Sequence, residues 1–115
     1  MRPESDWIVV FTKEGMGHGD VELQLKLAEI YLKLILENKD LPKAICFYTE
    51  GVKLAVMGSP VLDLLHQLEE RGVRLILCST CLAHYDLIDH IAVGIAGGMG
   101  DIMAAQAKAS KVISL

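Results

Sequence analysis

Apolar residues along this chain fall into two patterns: short unbroken runs of β-favouring side chains, and longer stretches in which leucine and isoleucine recur at helical spacing. Trp7-Ile8-Val9-Val10-Phe11 is the first unbroken run. The stretch from Lys13 to Gly19 closes it, which predicts a strand buried on both faces and then a loop. From Asp20 to Asn38 the period changes: Leu23, Leu27, Ile30 and Leu34 recur at helical spacing, and Glu22/Lys26 and Glu29/Lys33 are i,i+4 pairs in the favourable order. This segment reads as a helix with that stripe toward a sheet. Leu25, Leu32 and Leu36 add a second apolar flank, more than one sheet face needs, and predict a homo-oligomer.

Beyond the turn Asp40-Leu41-Pro42, the run Ala44 to Tyr48 predicts a second buried strand, followed by a short hydrophobic piece from Gly51 to Ala55. Ser59 and Pro60 have the form of an N-cap and a first-turn proline, opening a helix through Leu62, Leu65 and Leu68 that stops at Gly72. Val73 to Leu77 is a third strand that runs out on Cys78, where Ser79 and Thr80 are placed to cap a short helix beginning near Cys81. Ala92 to Ala96 supplies a fourth strand, Gly100 to Ala109 an alanine-rich helix, and Val112-Ile113-Ser114 a short last strand. Strands alternating with helices predict an α/β fold: right-handed crossovers building an open, mainly parallel sheet of about five strands, covered on both sides.

A length of 115 residues matches one domain, residues 1–115, with a single core. With 52% hydrophobic and only 5% aromatic residues, that core is aliphatic. The formal net charge of -4 and the lack of a Lys/Arg cluster exclude the electrostatic footprint of a nucleic-acid binder. Three cysteines are too few and odd in number for a disulfide framework, which points to a reducing compartment. Met1-Arg2-Pro3-Glu4-Ser5-Asp6 is polar and leads straight into a strand, leaving no room for the apolar region of a signal peptide. Apolar runs are interrupted well short of the roughly 20 residues of a membrane span. The expectation is a soluble, cytoplasmic protein without a membrane partner.

The chemistry concentrates at Cys78-Ser79-Thr80-Cys81, because ligands of open α/β sheets bind beyond the carboxyl ends of the strands. A thiol must lose its proton to attack sulfur, and the N–H groups of a helix N-terminus lower its pKa, an effect expected to favour Cys81 most. Cys78 lies near enough in the C-x-x-C turn for the pair to exchange a persulfide or close reversibly as a disulfide. The plainer alternative makes both cysteines small apolar fillers, with Cys78 part of the buried strand end. Paired spacing at a strand end favours the reactive reading. Cys46, between Ile45 and Phe47, reads as a core residue.

Cys78, Cys81, His84 and His90 offer two sulfur and two nitrogen donors suited to tetrahedral zinc. All four lie in one short stretch without a second knuckle, and an aliphatic core does not need a structural metal, so no metal is expected. His84, one turn past Cys81, is either a neighbour that steadies a thiolate or simply a surface histidine. His66 has no assigned role. Gly15-Met16-Gly17-His18-Gly19 sits where many α/β proteins cradle phosphate, but it lacks the dinucleotide and P-loop spacings and is followed by Asp20 and Glu22. It reads as a tight loop. Gly94, Gly97, Gly98 and Gly100 form a second glycine cluster without cationic residues, and both loops are placed to wall a pocket around Cys78 and Cys81.

In combination, Met16-Gly17-His18-Gly19-Asp20, Glu50-Gly51-Val52-Lys53-Leu54, Cys78-Ser79-Thr80-Cys81-Leu82 and the closing Lys111-Val112-Ile113 give the chain a nearly full-length resemblance. It resembles the DsrE/DsrF-like sulfur-relay family, especially the carboxyl-terminal domain of YedF-type proteins associated with selenium metabolism. The resemblance implies a flavodoxin-like three-layer α/β/α sandwich, trimers or hexamers, no organic cofactor, and a cysteine that receives persulfide sulfur from a donor protein. The reactive position of single-cysteine relatives matches Cys78, whereas the YedF-like pattern also keeps the equivalent of Cys81; the carrier is one of the two. The amino-terminal TusA-like domain of YedF-type proteins is missing here, so selenium metabolism does not carry over, and such a domain is a possible separate partner chain.

Two functions from different classes follow. In the first, a sulfur carrier or sulfurtransferase accepts and passes persulfide sulfur through Cys78 or Cys81. In the second, an oligomeric, non-enzymatic module binds a small ligand or partner through its glycine loops and thiol pocket. A flavin or nucleotide module ranks third.

Overall fold

The computed structural model describes residues 6–115; Met1 to Ser5, the polar opening, lie outside the described residues. Five strands form one sheet: β1 (Trp7–Phe11), β2 (Ala44–Phe47), β3 (Arg74–Cys78), β4 (Ile95–Gly97) and β5 (Lys111–Ser114). Every pairing between these five strands is parallel, in the order β4-β3-β2-β1-β5. β1 and β2 are continuously apolar because both their faces are covered, and Val9, Phe11, Ile45 and Phe47 have no exposure at all. Phe11 and Phe47 face each other in register and stack with ring centroids 5.7 Å apart.

Four helices cross between the strands: α1 (Val21–Glu37), α2 (Leu62–Glu70), α3 (Ser79–His84) and α4 (Met99–Lys108). The first three connections advance the sheet one strand at a time from β1 to β4, while α4 carries the chain back across it to β5 beside β1. Right-handed crossovers in opposite directions put their helices on opposite faces. Accordingly α1 packs beside α2, whereas α4 spans from β3 and β4 to a last turn facing Ile8, Ala44 and Arg74. The layers have the flavodoxin-like α/β/α arrangement expected from the sequence.

Helix α1 begins where predicted, since the Asp20 carboxylate accepts the Leu23 N–H at 2.9 Å as an N-cap. Its core face is not the predicted one. Ala28, Leu32 and Ile35 are buried against the sheet, with Leu25 and Leu36 packed at the margin, whereas Leu23, Leu27, Ile30 and Leu34 are exposed. Both stripes are apolar, so period alone does not say which turns inward; small Ala28 lets the helix approach the sheet closely. The surplus apolar face is therefore the Leu23–Leu34 stripe.

Several boundaries also move. The short hydrophobic piece expected from Gly51 to Ala55 is the main part of a 3-10 helix, Thr49–Ala55. Here Gly51 is required by close approach: a Cβ there would lie 2.1 Å from the Phe11 carbonyl oxygen at the end of β1. The Ser59 hydroxyl accepts the Val61 N–H at 3.2 Å in a preceding turn, and α2 starts only at Leu62, so Ser59 is not its N-cap. The fourth strand shifts from the predicted 92–96 to Ile95–Gly97, because Ile91 bridges Val56, Ala92 N–H bonds the Ala55 carbonyl at 3.0 Å and Gly94 N–H bonds the Glu69 carboxylate at 3.0 Å. No helix among the described residues is long and apolar enough to cross a membrane.

Candidate functional site

β3 ends on Cys78, the register partner of Gly97 on β4, and passes directly into α3. Cys78 occupies the N-cap position with extended backbone, so Ser79 and Thr80 are the first two helical residues rather than the caps expected from the sequence. The helix thus starts two residues earlier than predicted, and Cys81 remains on its first turn. The two thiols differ in access: Cys78 is 1% exposed, whereas Cys81 is only half-buried.

A third element completes the surroundings of Cys81. Thr49, at the turn from β2 into the 3-10 helix, has φ of 50°, the left-handed region that a β-branched side chain rarely enters. Such a conformation costs on the order of 1–3 kcal/mol and persists only where its surroundings hold it. Its hydroxyl lies within hydrogen-bond reach of the Thr12 and Tyr48 carbonyl oxygens. Its backbone N–H donates to Cys81 Sγ at 3.0 Å. Nothing in the sequence singled out Thr49; the only hint is that it directly precedes the Glu50-Gly51-Val52-Lys53-Leu54 motif.

Burial pushes the Cys81 thiol above its ordinary pKa, the Thr49 N–H pulls it back down, and the adjacent Cys78 thiol raises it again, with a net upward result. The sequence predicted the opposite direction from the helix N-terminus. Six residues make a short helix, and its first turn is sunk far enough among β3 and the 3-10 helix that desolvation of the thiolate prevails. Cys46 has no exposure, and burial raises its pKa to about 11 despite the opposing charge of Arg74, as suits a core residue.

The sequence model of the DsrE/DsrF-like family matches residues 7–115, spanning every strand and helix described above. The chain belongs to the DsrE/DsrF-like family. No curated protein matches the sequence. Among solved structures, the fold is similar to that of the YchN protein from E. coli, with a TM-score of 0.74 and 17% identity over 96% of this chain and 99% of that one. It is likewise similar to MTH1491 from Methanobacterium thermoautotrophicum, a protein of unknown function, with a TM-score of 0.68 and 22% identity over 96% of this chain and 100% of that one.

Within this DsrE/DsrF-like fold the remaining predicted residues separate. The two glycine loops are fixed by different neighbours, and the second reaches Cys78, the register partner of Gly97. Gly15 is pressed against the backbone of Gln24, and Met16 N–H bonds the Gln24 carbonyl at 3.0 Å, which closes the first loop onto α1. In the second, Gly94 abuts Leu75 and Leu77, and Gly97 abuts Ile76. An open cavity of about 360 Å³ lies instead one helical turn beyond Cys81, between Glu14, Lys53, Ser59 and Tyr85. The Lys53 ammonium sits 4.5 Å from the Tyr85 ring centroid on its wall. His84 is exposed and sets its ring edge-on against Tyr85, so the bond to the Cys81 sulfur comes from Thr49 and not from His84. Among the described residues, no three His, Cys, Asp or Glu side chains gather as a metal-ligand set, and this includes Cys78, Cys81, His84 and His90. His66 lies on the exposed face of α2, within 4 Å of the Glu69 and Glu70 carboxylates.

Proposed function

We propose that this DsrE/DsrF-like protein is a sulfur carrier and that Cys81, rather than Cys78, holds the transferred atom. The observation that carries this reading is the half-buried Cys81 sulfur, reachable from solvent and held by a backbone N–H at the carboxyl end of a parallel sheet, beside a second thiol that solvent does not reach. Once deprotonated, Cys81 attacks the outer sulfur of a donor persulfide. The donor's S–S bond breaks, its electron pair leaves with the donor thiolate, and Cys81 becomes the persulfide. An acceptor thiolate then takes the outer sulfur and Cys81 leaves as thiolate. The exchange involves no net oxidation and needs no organic cofactor or metal. Because the Cys81 pKa is raised, loading accelerates as pH rises toward it.

The partners of such a cycle are a donor and an acceptor protein, a TusA-like chain being one candidate, in a cytoplasm that keeps the thiols reduced. The protein assembles with copies of itself, as a trimer or hexamer, through the exposed Leu23–Leu34 stripe of α1. Intact-mass measurement after incubation with a persulfide donor tests the carrier reading. The mass should grow by one sulfur atom in the native protein and in Cys78→Ser, and not in Cys81→Ser. Loading that survives Cys81→Ser would reject the assignment, and no loading of the native protein would reject sulfur carriage. The non-enzymatic binding module draws support from the cavity beside Lys53 and Tyr85, which neither cysteine lines. A ligand held equally well by a double Cys78→Ser, Cys81→Ser variant would favour it.

A further inference from the structure

The 3-10 helix Thr49–Ala55, which follows β2 after Tyr48 alone, opens on Thr49 in a conformation its side chain resists. Strain of this kind in a β-branched residue is retained only where neighbouring contacts over-determine it, and here they are visible. The Thr49 hydroxyl reaches the Thr12 carbonyl just beyond β1, which ties the turn after β2 to the neighbouring strand. Gly51 presses the following turn against Phe11, and Gly51 N–H bonds the Tyr48 carbonyl at 3.0 Å. Thr49 N–H is left pointing out of this frame at Cys81 Sγ, 3.0 Å away. That separation is near the usual N···O distance of about 2.9–3.0 Å, and sulfur is the larger atom, so the contact is close.

We propose that Thr49 is a positioning residue for Cys81: its hydroxyl, anchored on Thr12, holds the left-handed backbone that aims the Thr49 N–H at the Cys81 sulfur. A backbone donor held in place before the charge develops stabilises a thiolate without reorganisation at the moment of attack. It also separates the roles of the two thiols, since Cys78 makes no side-chain capping bond and lies buried at the strand end. The ionisable groups on the elements packed around Cys81 are Cys78 and, at the opposite end of the strand, Arg74 on β3, His84 on α3, Glu50 and Lys53 on the first 3-10 helix, and Asp89 and His90 on the second, Ile88–His90. Of these, Cys78 is the one whose charge acts on Cys81, while Lys53 and Glu50 pair with each other at 3.7 Å.

The proposal takes Cys81 as the reactive thiol, as in the carrier reading, but its test reads acidity and not sulfur transfer, so each can fail alone. The rate of Cys81 alkylation by iodoacetamide, resolved by peptide mass, is followed against pH. Thr49→Gly tolerates the positive φ without strain and removes only the hydroxyl anchor. It should shift the profile upward by about one pH unit, about tenfold slower alkylation at neutral pH, with rates converging with the native protein's in alkali. Thr49→Ser, which keeps the hydroxyl, should restore the native profile. In the native protein the Thr49 amide proton resonance should titrate together with Cys81 and lose that titration in Cys81→Ser. A Thr49→Gly profile superimposed on the native one, a slowing by the same factor at every pH, or a Thr49 amide resonance indifferent to Cys81 would each overturn the proposal.

Discussion

Cys46, within β2, and Cys81, on the helix that follows the neighbouring β3, show how differently one residue type behaves. Cys46 has no exposure, and its pKa rises from 9.0 to about 11 through desolvation, so the folded protein keeps this proton where the unfolded chain has released it. Stability from the neutral thiol is complete below the unfolded value near 9.0 and is lost as pH rises through about 11. Cys81 and Tyr31, both also raised by burial, act in the same direction. Thermal melts should therefore show a falling melting temperature across that alkaline window, and Cys46→Ala should flatten the fall without abolishing it. Cys81 differs by having a backbone donor at its sulfur and a route to solvent. The residue type was legible in the sequence; the donor was not, because Thr49 and Cys81 stand 32 positions apart.

At the scale of elements, α1 carries two apolar stripes with opposite fates. Leu32, fully buried, should cost about 2–5 kcal/mol when changed to alanine, measurable by denaturant unfolding. Leu34 is 55% exposed, and Leu34→Ala should change monomer stability by no more than about 0.5 kcal/mol. That contrast inverts the ranking that helical spacing alone suggests. The 3-10 helix depends on Gly51 in a different way. Gly51→Ala drives a methyl into the Phe11 carbonyl, and overpacking of rigid backbone should cost about 3 kcal/mol. Because the displaced segment begins at Thr49, the same variant should slow Cys81 alkylation, whereas Leu32→Ala should leave that rate unchanged wherever the protein stays folded.

For the whole molecule, the direction of the chain through the sheet decides where the chemistry lies. Three crossovers advance from β1 to β4 and one returns, so the connections leaving β2 and β3 meet at the same sheet end and bring Thr49 to Cys81. If the exposed α1 stripe is the contact between copies, Leu27→Glu with Leu34→Glu should reduce the mass measured by light scattering to that of a single chain while leaving the circular dichroism spectrum unchanged. An unaltered mass would place the contact elsewhere. Sequence alone determined the alternation of strands and helices, the parallel α/β class, the start of α1 near Asp20 and the paired thiols at a strand end, because these depend on local period and spacing. Tertiary structure decided which face of α1 turns inward, where α3 and β4 begin, which thiol meets solvent and which direction its pKa moves. Those outcomes arise from burial and from contacts between residues remote in the chain, which no local pattern encodes.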